Sequence, residues 1–197
     1  PADRMPASTH FDPATRGTDR TADWDAAVPF EPWLAAAEDL VELWTSAYGR
    51  ASADPAMVAR AEDVVGEWKL IVLTEDWCLD ATATVPPVAR LAEAARNVEL
   101  RVLDRDDHLD LMDAHLTNGR ARSIPVVILL DASGAERAWW GPRPSDLQAW
   151  FEGAGQEVEK EARYRELRKW YARDRGASTV REVVEMIERA GGGGAIG

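Results

Sequence analysis

The segment from Leu70 to Asp104 constrains the fold of this chain more than any other. A continuous apolar run, Leu70–Thr74, has the length of a strand and the composition of one covered on both faces. An alanine-rich helical stretch over residues 79–96 follows, and Val98–Asp104 has the pattern of a second strand. A strand, a helix and a strand in this order predict a parallel βαβ unit with a right-handed crossover.

The rest of the chain is predicted to consist of an arm, helical extensions and a tail around this unit. Residues 1–28 are rich in Pro, Thr, Asp and Arg and have no sustained period, which is typical of a flexible arm. Residues 29–190 are predicted to form a single domain, with a helical extension over 29–68, a core over 69–151 and C-terminal helices over 152–190. The glycine-rich residues 191–197 are predicted to be a flexible tail.

Helical spacing of apolar residues predicts the extensions. One helix is expected from Pro32 to Gly49, and a second is expected to begin at Pro55 and to include Trp68. A long helix is expected from about residue 145 to Tyr171, and a last one carries a capping-box spacing at Thr179. Between these, two further strands are predicted over residues 126–130 and 135–140 as a hairpin.

Charge and composition exclude several classes of function. The net charge of −12 disfavours binding to nucleic acid, and no apolar run approaches the length of a membrane span. No secretion-signal pattern is present at residues 1–20, so a cytoplasmic location is expected. Acidic residues between Asp104 and Asp110 alternate as in a calcium loop, but Leu109 and His115 stand where Gly and Glu are needed. We therefore expect no metal site and no cofactor.

Several separate strings resemble the thioredoxin-like superfamily. Trp77 and Cys78 are followed by Pro86, at the spacing of the family's active-site helix, and Ser123–Pro125 resembles its cis-proline segment. Further strings, at Glu75–Cys78, Leu116–Gly119, Trp140–Pro144 and Lys169–Tyr171, look like a bacterial group of thioredoxin-family proteins with a Trp-Cys-Gly-Asp-type single-cysteine motif. The resemblance implies an α/β thioredoxin fold, with a central mixed sheet flanked by helices and with N-terminal and C-terminal helical extensions.

The resemblance also implies which residues form the site. The catalytic candidates are Cys78 as nucleophile, Asp80 and a cis Pro125, and the binding candidates are Trp77, Asp76 and Ile124. The family's resolving thiol and its buried acid fall on Ala81 and Val72, and Cys78 is the one cysteine of the chain. An internal dithiol cycle is therefore impossible, and the expected activity is that of a monothiol thiol-disulfide oxidoreductase. Its partners would be a low-molecular-weight thiol or a protein or peptide thiol.

The residues leave other interpretations open. A helix N-terminus stabilises a thiolate, but the negative charges of Glu75, Asp76 and Asp80 would destabilise a thiolate at Cys78. A lone cysteine is also commonly a buried, inert thiol. Asp80 has the residue type of a helix N-cap. Alternative functions are a redox-inactive module that holds a peptide beside Pro125, and a small-molecule enzyme that uses Asp76, Asp80 and Arg143 with Cys78.

Overall fold

The structure, a computed structural model, describes residues 7–192. Within that range the chain forms one six-stranded sheet with helices packed against it. The strands are β1 (Thr9–His10), β2 (Val28–Pro29), β3 (Trp68–Thr74), β4 (Val98–Asp104), β5 (Val126–Leu130) and β6 (Glu136–Trp140). The helices are α1 (Thr21–Ala26), α2 (Phe30–Ala36), α3 (Val41–Arg50), α4 (Pro55–Glu62), α5 (Leu79–Ala94), α6 (Leu109–Asp113), α7 (Ser145–Glu152), α8 (Lys160–Asp174) and α9 (Ala177–Gly192). Short 3₁₀ turns occupy Arg105–Asp107 and Ala154–Glu157.

The sheet is mixed, with the strand order β1-β6-β5-β3-β4-β2. Strands β3 and β4 run parallel, with Trp68 opposite Val98 and Thr74 opposite Asp104. Strand β5 is antiparallel to β3, and β6 is antiparallel to β5. The predicted class, a central mixed sheet flanked by helices, is confirmed.

The two central strands are covered on both faces. Every residue of Leu70–Thr74 and of Val126–Leu130 is buried, and successive strand residues point to opposite faces of a sheet. Helix α5 makes the crossover between β3 and β4, and α9 packs against both α5 and β6. This packing fixes the turn between the end of β3 and the start of α5, which carries Cys78.

The structure differs from the expected flexible arm over residues 7–28. Strand β1 pairs with β6 at one edge of the sheet and β2 pairs with β4 at the other, while Trp24 of α1 is buried. Two-residue strands and a six-residue helix are too short to show a period, so the sequence pattern missed them. Residues 1–6 lie outside the described residues.

A buried polar network fastens this segment to the sheet. The side chain of Glu136 is fully buried and accepts a hydrogen bond from Nε of Arg20 at 2.8 Å. Its other oxygen lies 2.9 Å from Nε2 of His115, which is also fully buried. The opposite ring nitrogen of His115 lies 2.7 Å from the carbonyl oxygen of Leu111. The network therefore joins the N-terminal segment, β6 and α6.

Three predicted helix boundaries are wrong. The first helix is broken into α2 and α3 by a turn in which Leu40 is left-handed at φ 50°. The second helix ends at Glu62, and Trp68 begins β3 instead, because its indole packs into the core. The long C-terminal helix is interrupted at Gly153–Glu157, where a close approach between Gly155 and the Trp150 carbonyl oxygen leaves no room for a side chain.

Helix α9 extends into the segment predicted as a tail. It ends at Gly192, and a Cβ on Gly191 would overlap Cγ1 of Val64. Glycine at 191 thus lets α9 lie close to the chain after α4. Residues 193–197 lie outside the described residues.

Candidate active site

Cys78 stands at the junction of β3 and α5. A tight turn over Glu75–Trp77 follows β3, and the backbone N–H of Cys78 donates to the carbonyl oxygen of Glu75 at 3.2 Å. Cys78 occupies the N-cap position of α5 with extended backbone angles and no side-chain capping bond. A strand that ends where a helix begins thus places the thiol at the positive end of that helix.

The thiol of Cys78 is buried and faces Ile124. The residue is 7% exposed, and Sγ donates a weak hydrogen bond to the Ile124 carbonyl oxygen at 3.5 Å. Burial raises the pKa of Cys78 to about 11. The backbone N–H groups of Ala81 and Asp80 act to lower this pKa, and the negative charge of Asp80 acts to raise it. At neutral pH the group is therefore a protonated thiol.

Asp80 does not cap helix α5. Its Oδ1 accepts a hydrogen bond from the Tyr171 hydroxyl at 2.8 Å, and its Oδ2 forms an ion pair with Nη2 of Arg143. Both oxygens are therefore engaged by partners outside α5, and the N–H groups of Ala81 and Asp80 act instead to lower the pKa of Cys78. The N-cap interpretation of Asp80 is wrong because partners from two distant segments hold its carboxylate.

Arg143 is held in place by the loop after β6 and by α7. One guanidinium nitrogen donates to Oε1 of Gln148 at 3.0 Å, and the group lies 4.0 Å from the ring centroid of Phe151. Its charge opposes the effect of Asp80 on the pKa of Cys78. Arg143, Asp80 and Tyr171 thus form a half-buried cluster beside the thiol.

The Ile124–Pro125 segment lies against both the thiol and the loop after β6. The Ile124–Pro125 peptide bond is cis, and Ile124 is 6% exposed. Gly141, at φ +150°, approaches the Pro125 carbonyl oxygen so closely that a Cβ would overlap it. Of the two candidates from this segment, Ile124 therefore meets Cys78 through its carbonyl oxygen, and the Pro125 carbonyl oxygen lies against Gly141.

Asp76 is turned away from the thiol. Its Oδ2 accepts the backbone N–H groups of Glu38 at 2.8 Å and Asp39 at 3.0 Å. Its carbonyl oxygen accepts Nε1 of the buried Trp44 at 2.7 Å. Asp76 therefore fixes the α2–α3 turn beside the site, and it does not join Asp80 and Arg143 as the small-molecule enzyme interpretation requires.

Trp77 and Leu79 flank Cys78 as exposed apolar side chains. Trp77 is 46% exposed and Leu79 is 45% exposed, although both are large and apolar. The guanidinium of Arg105 lies 5.1 Å from the Trp77 ring centroid and pairs with Asp106. The structure thus places Trp77 at the surface of the site.

The positions of the family's second thiol and buried acid are apolar. Ala81 and Val72 are fully buried. Among residues 7–192, no group of three or more His, Cys, Asp or Glu side chains could hold a metal ion. No helix of the described range is long and apolar enough to cross a membrane.

Sequence reasoning missed the role of Tyr171, and it named Asp80 and Arg143 together only as members of a small-molecule site and not as an ion pair. Tyr171 lies 91 positions from Asp80 and Arg143 lies 63 positions from it, so no local spacing links them. The available signal was that Arg143 and Tyr171 each lie in a string that resembles the thioredoxin-like group. The buried network of Arg20, Glu136 and His115 had no such signal.

Comparisons with solved structures agree with this fold. The chain resembles, at 19% identity and a TM-score of 0.69, the 1.5 Å crystal structure of PA1234, a protein of unknown function from Pseudomonas aeruginosa. The alignment covers 88% of this chain and 99% of that one. An HIV epitope-scaffold crystal structure matches at 16% identity and a TM-score of 0.67, over 87% of this chain and 99% of the scaffold.

A search of curated proteins finds no significant match. The Thioredoxin_9 family model, described as thioredoxin, matches residues 28–169. This range includes the β3–α5 turn, the Ile124–Pro125 segment and the loop that carries Arg143. Because the match extends over well more than half of the sequence, the chain belongs to this thioredoxin family.

Proposed function

We propose that this protein performs monothiol thiol-disulfide exchange at Cys78. The observation that carries the proposal is the position of the sulfur, which stands at the N-cap of α5 and lies 3.5 Å from the Ile124 carbonyl oxygen. A thiolate formed there is stabilised by the N–H groups of Ala81 and Asp80. The exposed Trp77 and Leu79 give a substrate access to the same edge of the site.

The exchange needs two external reactants, a disulfide for the first step and a thiol for the second. The Cys78 thiolate attacks one sulfur of a disulfide, forms a mixed disulfide and releases the other sulfur as a thiolate. A second thiol from outside the protein then attacks the mixed disulfide, restores Cys78 and leaves with the bound sulfur as a new disulfide. The external thiol is needed because Ala81 stands at the resolving position.

The partners we propose are low-molecular-weight thiols or protein and peptide thiols in the cytoplasm. That compartment keeps thiols reduced, so it supplies the second step. The net charge of −12 supports a partner other than nucleic acid.

Intact-mass measurement after incubation with excess glutathione disulfide tests the proposal. The folded wild-type chain is expected to gain one glutathione, and Cys78→Ser is expected to gain none. Ala81→Cys restores a resolving thiol, so its adduct is expected to convert to an internal disulfide. If the urea-unfolded chain is modified and the folded chain is not, even above pH 9, the redox proposal fails.

A second candidate function is a redox-inactive binding module. The observation that favours it is the burial of Cys78, which holds the pKa at about 11 and keeps the thiol protonated. Such a module would bind an extended peptide beside Ile124 and Trp77 without covalent chemistry. A Cys78→Ala protein that binds a peptide as tightly as wild type, while wild type forms no mixed disulfide, would favour this function.

A further inference from the structure

The turn between α2 and α3 exposes a run of apolar and acidic side chains next to the site. Six consecutive residues, 38–43, are exposed, and we call them the 38–43 rim. Its apolar members are Leu40, Val41 and Leu43, each between 36% and 41% exposed, and its acidic members are Glu38, Asp39 and Glu42. Exposed apolar patches on a soluble fold typically mark interaction surfaces.

The 38–43 rim is fixed to the turn that carries Cys78. The Asp76 carboxylate accepts two backbone N–H groups of the rim, and Trp44 just after it donates to the Asp76 carbonyl oxygen. Asp76 is separated from Cys78 by one residue. The rim is therefore tied to the same turn that carries the exposed Trp77.

Leu40 adopts a backbone conformation that its residue type disfavours. Its φ is +50° and its ψ is 24°, in the left-handed region that favours glycine and asparagine. The side chain is not enclosed by the core in return, because it remains 36% exposed. An apolar side chain kept at such a position indicates a role outside the folding of the monomer.

The charge around this surface is negative. The rim contains three carboxylates and no cation. Arg105, beside Trp77, is already paired with Asp106, and Arg143, beside the thiol, is paired with Asp80. A segment that carries basic and apolar side chains is therefore the complement of this surface.

We propose that the 38–43 rim, together with Trp77 and Leu79, binds a basic and apolar polypeptide segment and presents its sulfur to Cys78. Presentation of a sulfur rests on the proposed thiol exchange, whereas binding of the segment does not. The rim thus selects cationic polypeptide partners over small anionic thiols.

Peptide binding to Cys78→Ser protein tests the rim without any thiol chemistry. Two fluorescent peptides share the same apolar residues, and one carries Lys and Arg where the other carries Asp and Glu. Fluorescence anisotropy is expected to give at least tenfold tighter binding of the basic peptide at low salt, with the difference shrinking as salt rises. Equal affinity for both peptides would overturn the proposal.

Charge reversal on the rim is compared with a matched reversal elsewhere. The triple variant Glu38→Lys, Asp39→Lys and Glu42→Lys is expected to weaken binding of the basic peptide at least tenfold. The control, Glu157→Lys with Glu159→Lys and Glu161→Lys, reverses three exposed carboxylates at and just before the end of α8 remote from Tyr171 and is expected to leave binding unchanged. An equal loss of peptide affinity in both variants would assign the effect to net charge and overturn the proposal that the rim binds the peptide.

Leu40→Gly separates binding from folding. Glycine accepts a positive φ, so the variant is expected to match or exceed wild type in its urea midpoint. Binding of the basic peptide is nevertheless expected to weaken several-fold, because the apolar side chain is lost. Unchanged binding by Leu40→Gly would overturn the role of Leu40. If the protein binds the basic peptide selectively but wild type forms no mixed disulfide, the thiol exchange is refuted and the binding role of the rim stands. If wild type forms mixed disulfides but binding is not selective, the binding role of the rim is refuted and the thiol exchange stands.

Discussion

Gly141→Ala tests whether the loop after β6 sets the position of the Ile124–Pro125 segment. Alanine is disfavoured at φ +150°, which costs about 1–3 kcal/mol. The new Cβ would also overlap the Pro125 carbonyl oxygen and lie 3.3 Å from Cα of Val126. Neither is a side-chain atom that can rotate away, so a backbone shift adds about 1–3 kcal/mol. The total loss of unfolding free energy is about 2–6 kcal/mol.

Two other glycines provide matched controls. Gly119 has φ +67°, and a Cβ added to it would meet no heavy atom within 4 Å, so Gly119→Ala is expected to cost only about 1–2 kcal/mol. Gly49 lies inside α3 with no positive φ and open space around it, so Gly49→Ala is expected to stabilise by about 0.5–1 kcal/mol.

Urea unfolding and Cys78 alkylation measure the effect of Gly141→Ala. With a slope of about 2 kcal/mol per molar urea, the midpoint is expected to fall by about 1–3 M. Displacement of Pro125 also loosens the contact between Ile124 and Cys78, so iodoacetamide is expected to alkylate Cys78 faster. A midpoint loss no larger than that of Gly119→Ala, with unchanged alkylation, would show that Gly141 does not set the position of Pro125.

Further predictions concern ionisable groups. The alkylation rate of Cys78 is expected to rise about tenfold per pH unit up to about pH 11, and a plateau below pH 9 would contradict the burial argument. Asp80→Asn removes a negative charge and leaves Arg143, so it is expected to shift this profile about one unit lower. Arg20→Met leaves the buried Glu136 without its arginine and is expected to cost about 3 kcal/mol in urea unfolding. Burial acts to raise the pKa of Glu136, but the hydrogen bond and charge of His115 lower it below the ordinary value of 4.5. The stability it contributes is therefore expected to be present above pH 4.5 and lost as the pH falls through the lower folded-state pKa, which acid titration of unfolding checks.

The βαβ unit could be predicted because its signals are local. Leu70–Thr74 is apolar at nearly every position, which is typical of a strand covered on both faces, and Pro86 stands at a fixed spacing from Cys78. The edges of the sheet could not be predicted. Strands β1 and β2 have two residues each, and their positions depend on pairing with β6 and β4, which are distant in sequence.

Inside the site, too, local features could be predicted and contacts between distant residues could not. The location of Cys78 at a helix N-terminus follows from neighbouring residues, but the direction of a carboxylate does not. Asp76 and Asp80 are the same residue type and both lie within two positions of Cys78. One is taken by the α2–α3 turn and the other by Arg143 and Tyr171, because those partners arrive only when the fold is complete. Thr179 and Glu182 illustrate the same point, since Glu182 bonds Trp140 and the Ser145 N–H instead of forming the predicted capping box.

The raised pKa of Cys78 and the 38–43 rim bear on the same reaction. A thiol with a pKa of about 11 costs about 5 kcal/mol to ionise at pH 7. A small disulfide that meets the site by collision contributes little toward that cost. A polypeptide that binds the rim holds its sulfur near Cys78, and binding energy gained away from the reacting atoms can then offset the unfavourable ionisation. The burial that opposes the thiolate is therefore compatible with the proposed exchange, provided that the partner is one the rim selects.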